Sequence, residues 1–134
     1  MKAAFFVAGV AIGAVCLLVA EPARAHHSIA AEFDMNKSVT VAGDITKMDF
    51  RNPHSWLYID VRDEAGLVQP WAIEFGGVNS LYRRGWQRDD LPVGATVTVT
   101  GFPALDGSRT LGATDVTLSD GRTLFAGTRP SGSN

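Results

Sequence analysis

Three histidines carry the most versatile chemistry in this chain, and two of them are adjacent: His26 and His27, inside "EPARAHHSIAAEF", with His54 further on in "RNPHSW". Imidazole nitrogen suits Cu(II), Ni(II) and Zn(II). The segment before His26 sharpens that chemistry. Ala23 and Ala25 stand at the small-residue positions of an A-x-A cleavage box, so cutting after Ala25 would make His26 the first residue. Its new α-amine, with a pKa near 8 (about), and its own imidazole would then chelate one ion. His27 would add a further nitrogen through its ring or amide. A tetragonal nitrogen set favours Cu(II), then Ni(II). The amine must lose a proton on binding, so affinity should rise with pH through neutrality. Pro53 stiffens the loop before His54 and biases Asn52 towards extended backbone, which aims His54 from a strand start. If the N-terminal arm crosses that loop, His54 completes an all-nitrogen site. In ligand type this is similar to the histidine brace of copper proteins. The plainer alternative is a solvated His-His end and a His54 that caps its loop. Met35 and Met48 offer thioether sulfur, but packing is the commoner use of such residues.

A second constellation is aromatic and basic. "LYRRGWQRDD" carries Tyr82, Arg84 and Trp86, and Trp56 and Trp71 fall on neighbouring strand-like runs. Together these five residues are candidates for a groove that takes a small ligand or an envelope protein, with arginine stacking on tryptophan. The alternative use for Leu81 and Trp86 is to plug a barrel end. No G-x-S-x-G motif, phosphate-binding glycine loop or dinucleotide fingerprint is present, which points to a binding protein rather than an enzyme.

The start of the chain has the order of a secretory signal: Lys2, an apolar run over 3–20, then "EPARA". At about 20 residues the run is also long enough to cross a bilayer. The cleavage box follows it at once, however, and no stop-transfer cluster of Lys or Arg does. Processing at Cys16 as a lipoprotein is disfavoured by the preceding Val15. Residues 1–25 are therefore expected to be removed, leaving a periplasmic or secreted product with no membrane span. Cys16 is the only cysteine of the chain. The remainder then has no disulfide, thiolate metal site or cysteine nucleophile. With 12 basic and 14 acidic residues the formal net charge is −2, which argues against a nucleic-acid partner. The expected partners are a metal ion, copper first, or an envelope protein.

What must position these groups is a set of short alternating strands. Residues 38–50 turn Val39, Val41, Ile45 and Phe50 inward, and Gly43 suggests a bulge or bend there. Residues 55–61 and 67–75 bracket a hairpin through "DEAG", with Pro70 at an edge. Val78, Leu81 and Tyr82 have helical spacing, and Gly85 is a plausible stop. Residues 95–103 and 110–121 flank an Asp106-Gly107 turn, and "RTLFAG" adds a short extension. The pattern predicts an all-β fold: a five-stranded Greek-key barrel of the oligonucleotide/oligosaccharide-binding (OB) type over 26–127, with one short helix between strands 3 and 4. An open β-sandwich is second. Residues 128–134 read as a disordered tail.

The spaced set "HHS", "FD", "NPHSW", "LYRRGW", G-x-x-V-x-V-x-G and "DG" resembles that of a family of small exported bacterial proteins known only as a domain of unknown function. The likeness runs over nearly all of the chain beyond the leader. It implies that His26, His27, His54 and Trp86 are motif positions, and it brings no activity with it.

Overall fold

The computed structural model describes residues 28–127. Alternation of apolar and polar residues drives the strands. In β1 (Val39–Asp49) Val41 and Ile45 point inward; in β2 (His54–Arg62) Leu57 and Ile59 do; in β3 (Val68–Gly76) Ile73 and Phe75 do. In β4 (Thr96–Pro103) the inward residues are Val97 and Val99, and in β5 (Thr110–Thr117) Leu111, Ala113 and Val116. All are buried and form one core. Between β3 and β4 a short helix, Val78–Arg83, buries Leu81 and leads into the buried Trp86. Both residues join the same core, so this segment closes one end of the barrel. A 3-10 turn at Arg88–Asp90 follows, and a short β6 (Thr123–Phe125) extends the sheet antiparallel to β5.

Hydrogen-bonded order β3-β2-β1-β4-β5, with β5 returning parallel to β3, makes a closed five-stranded Greek-key barrel. That is the OB topology expected from the strand pattern. The β3–β5 seam is short, three residue pairs from Ala72↔Thr110 to Glu74↔Gly112. Pro70 lies below it, paired with Asp60 of β2 and free of β5, where its missing N–H breaks no ladder. The bulge alternative at Gly43 is corrected: Gly43 stays in register opposite Val97, and the register shift in β1 falls between Ile45 and Lys47. No helix among the described residues is long and apolar enough to cross a membrane.

The β2–β3 turn is built by Asp63, whose Oδ1 accepts the N–H groups of Ala65 and Leu67. The Leu67 N–H, then the Gln69 side chain, hold this carboxyl below its ordinary 3.8. A carboxylate with a depressed folded-state pKa contributes stability above the unfolded value, and that contribution is lost as pH falls. Stability should therefore drop as pH falls below about 3.8. Asp63→Asn should be less stable at neutral pH and lose less on acidification; parallel acid-denaturation curves for the two proteins would contradict this.

Candidate functional site

The loop between β1 and β2 is held by a buried hydroxyl. Ser55 donates to the Arg51 carbonyl at 3.0 Å and accepts the Arg51 N–H at 3.2 Å. The same Arg51 carbonyl accepts the Val78 N–H at 3.0 Å, which ties the loop to the start of the helix. Gly77 makes that approach possible, because a Cβ there would sit 2.5 Å from Asn52 Oδ1 and 2.7 Å from the Pro53 carbonyl. The Asn52–Pro53 peptide is cis. His54 therefore leaves a braced loop as the first residue of β2.

His54 points outward, and its Nδ1 lies 2.7 Å from Glu74 Oε1, an ion-pair contact when the ring is protonated. The two are diagonal neighbours: Trp56 stands directly opposite Glu74, and His54 opposite Gly76. Glu74 is the more enclosed partner, its side chain 15% exposed against 48% for His54. Burial pushes the Glu74 carboxyl above its ordinary range; the His54 ring opposes this, and Glu32 adds to it. The imidazole Nε2 has no hydrogen-bond partner among the described residues. A carboxylate behind one ring nitrogen, with the other nitrogen facing out, is the usual outer support of a metal-binding histidine.

Glu32 belongs to the arm that leads into the barrel. A single helical turn, Ile29–Glu32, is followed by Phe33, which is 4% exposed. Phe33 forms a β-bridge with Ala104, and the backbone on either side is pinned, Asp34 N–H to the Pro103 carbonyl and Leu105 N–H to the Glu32 carbonyl, both at 2.9 Å. The Phe33 ring lies over Gly112, where a Cβ would meet it at 3.2 Å. Gly112 is the β5 residue paired with Glu74. The arm thus docks beside the His54–Glu74 pair. His26 and His27, the 1–25 leader and the 128–134 tail lie outside the described residues. Among the described residues no group of three or more His, Cys, Asp and Glu comes together as a metal cage, so His54 offers one ligand and not a complete set.

The five aromatic and basic candidates are dispersed. Trp86 is 2% exposed, packs its ring 5.6 Å from that of Phe75, and donates its indole N–H to the Phe125 carbonyl at 2.9 Å. Arg84 donates to the Gly127 carbonyl at 2.7 Å and covers the Phe125 ring. Tyr82 is exposed and lies against Phe50. Trp56 sits half-buried on the outer face opposite Glu74. Trp71 alone of the five lines a cleft, of about 730 Å³, together with Tyr58, Lys47 and Arg109. Those three, and Glu74 as the partner of His54, were not singled out by sequence reasoning. Register would have found Glu74: once the Asp63 turn sets Arg62 opposite Val68, counting back in pairs brings Trp56 opposite Glu74.

The described residues define a small closed OB-type β-barrel that carries a histidine–carboxylate pair on its outer face, next to its N-terminal arm. The chain belongs to a family of unknown function (DUF6152), whose model matches residues 14–113. No curated protein matches it significantly. Among solved structures it is similar to the dimeric N-terminal domain of PriB from Thermoanaerobacter tencongensis, with 20% identity, 62% of this chain and 96% of that one covered, and a TM-score of 0.42.

Proposed function

We propose that this is an exported, non-enzymatic metal-binding protein of the cell envelope, with copper as the preferred ion. Cleavage after Ala25 would give His26 a free α-amine; that amine, the His26 and His27 nitrogens and His54 Nε2 form the ligand set. The observation that carries this reading is the 2.7 Å contact between His54 Nδ1 and Glu74 Oε1, which sets a carboxylate behind the imidazole and leaves Nε2 uncommitted. Docking of Phe33 on Gly112 supports it, because the arm that leads back to His27 is anchored beside β3. Bound metal would neutralise the carboxylates Glu74 and Glu32, whose charges oppose one another. Nitrogen donors in this number favour Cu(II) over Zn(II).

The test is an added residue. Protein starting at His26, its mass verified, is compared with protein carrying one extra alanine before His26. The extension removes the amine from its chelate ring and should weaken Cu(II) binding by about tenfold or more, or at least 1.4 kcal/mol (about). Equal affinities in the two proteins would exclude the amine as a ligand.

A further inference from the structure

One surface segment takes no part in the core or in the histidine pair. It reads "DMNKS", Asp34 to Ser38, and has the Asn-x-Ser spacing that N-linked glycosylation uses, with Lys37 and not proline between. Two other asparagines fail that pattern: Asn52 is followed by Pro53, and Asn79 has Leu81 two places on where a hydroxyl is needed. The fold explains why this segment stands out. Phe33 is bridged to Ala104, and Val39 pairs with Gly101. Between these two fixed points β4 and its end advance three residues while the arm side advances six. The surplus has no place in a ladder and must loop outward.

The loop is a tight turn held at its base. Asp34 Oδ1 accepts the Asn36 N–H at 3.1 Å, and the Asp34 carbonyl accepts the Lys37 N–H at 3.1 Å. The Lys37 ammonium lies 3.1 Å from Asp34 Oδ2. The Asn36 N–H, then Lys37, hold the Asp34 carboxyl below its ordinary 3.8, so it is ionised at neutral pH. Asn36, Lys37 and Ser38 are all exposed. Neither the Asn36 carboxamide nor the Ser38 hydroxyl has a hydrogen-bond partner among the described residues. The turn is held by a few surface bonds, so opening it against an enzyme leaves the core intact.

We propose that Asn36 is a glycan acceptor, modified in the cell envelope by an oligosaccharyltransferase that draws its sugar from a lipid diphosphate. Asn36 Nδ2 forms a bond to the anomeric carbon of the oligosaccharide. The bond from that carbon to the diphosphate oxygen breaks, the lipid diphosphate leaves, and one Nδ2 proton passes to a base of the transferase. The Ser38 hydroxyl, two residues on, offers the transferase a donor and acceptor that align the carboxamide. Asp34, two residues before, offers a carboxylate to a cationic subsite. Because the turn is exposed in the finished barrel, transfer needs no unfolded chain. The site uses none of the histidines and rests on the proposed function only for export.

The full chain is produced with its leader in a bacterium that carries an envelope oligosaccharyltransferase and a lipid-linked oligosaccharide of known mass, and intact mass is read on the periplasmic fraction. The expected mass is that of residues 26–134 plus one glycan. Asn36→Gln and Ser38→Ala should lose the increment completely, whereas Ser38→Thr, which keeps the hydroxyl, should retain it. Asp34→Asn keeps an oxygen for the turn, drops the charge, and should lower the modified fraction several-fold. Asn36 and Ser38 are exposed, so their variants keep the barrel. Leader-cleaved protein at its unmodified mass overturns the acceptor and leaves the metal reading standing. A glycan that persists in Asn36→Gln also overturns it. Unprocessed protein held in the cytoplasm overturns both readings.

Discussion

Trp86→Ala is expected to destabilise the barrel by about 3–5 kcal/mol, the range for removing a buried large aromatic side chain. The indole is 2% exposed, rests against Phe75 and gives its N–H to the Phe125 carbonyl, so one side chain joins the segment after the helix, β3 and β6. Against a total of about 5–15 kcal/mol for a domain, such a loss takes the protein close to unfolding at moderate temperature. Equilibrium denaturation in urea measures it directly. A loss under about 1 kcal/mol, the size of an ordinary surface substitution, would mean that Trp86 is a surface group and not a plug. Tyr82→Ala is the control on the same segment. Its ring is 44% exposed and should cost little.

The second large effect is at Glu74. Its replacement by alanine should lower Cu(II) affinity by about 10–100-fold, the usual consequence of removing the carboxylate behind a metal-binding histidine. In the proposed site the carboxylate would do two things: steady the His54 ring across the 2.7 Å contact, and supply negative charge beside a bound ion. Glu74→Gln separates them, because the amide keeps a polar oxygen beside Nδ1 while carrying no charge. An intermediate loss in the glutamine variant is expected, read from competition with a chromophoric chelator. Affinity untouched in both variants would detach the pair from metal binding.

The barrel was legible because its strands alternate cleanly. Val97 and Val99, Leu57 and Ile59, Ile73 and Phe75 each stand two apart and each point inward. The Gly85 stop and the Asp106-Gly107 turn then left little freedom in connectivity; both glycines take positive φ. The β1 irregularity was misplaced because Gly43 looks like a bulge in one strand, whereas a bulge is a property of a pair and depends on β2. His54 was visible from its proline-braced loop. Its partner was not, because Glu74 lies 20 residues downstream by number and meets it only diagonally across the hairpin. The cleft was hidden for a related reason. Lys47, Tyr58 and Arg109 come from β1, β2 and the β4–β5 loop, and only closure of the barrel brings them together. The "LYRRGW" segment reads as a binding patch on composition alone, yet Arg84 and Trp86 spend their donors on the Gly127 and Phe125 carbonyls.

Electron paramagnetic resonance of Cu(II) bound to the protein with His26 as its first residue, recorded beside His54→Ala, bears most directly on the metal site. One equivalent should give a single nitrogen-rich signal, and loss of the His54 imidazole should change its hyperfine pattern and weaken binding. An identical signal and affinity in the variant would show a freely chelating His-His terminus with no part for the barrel, contradicting a site shared between the arm and β2.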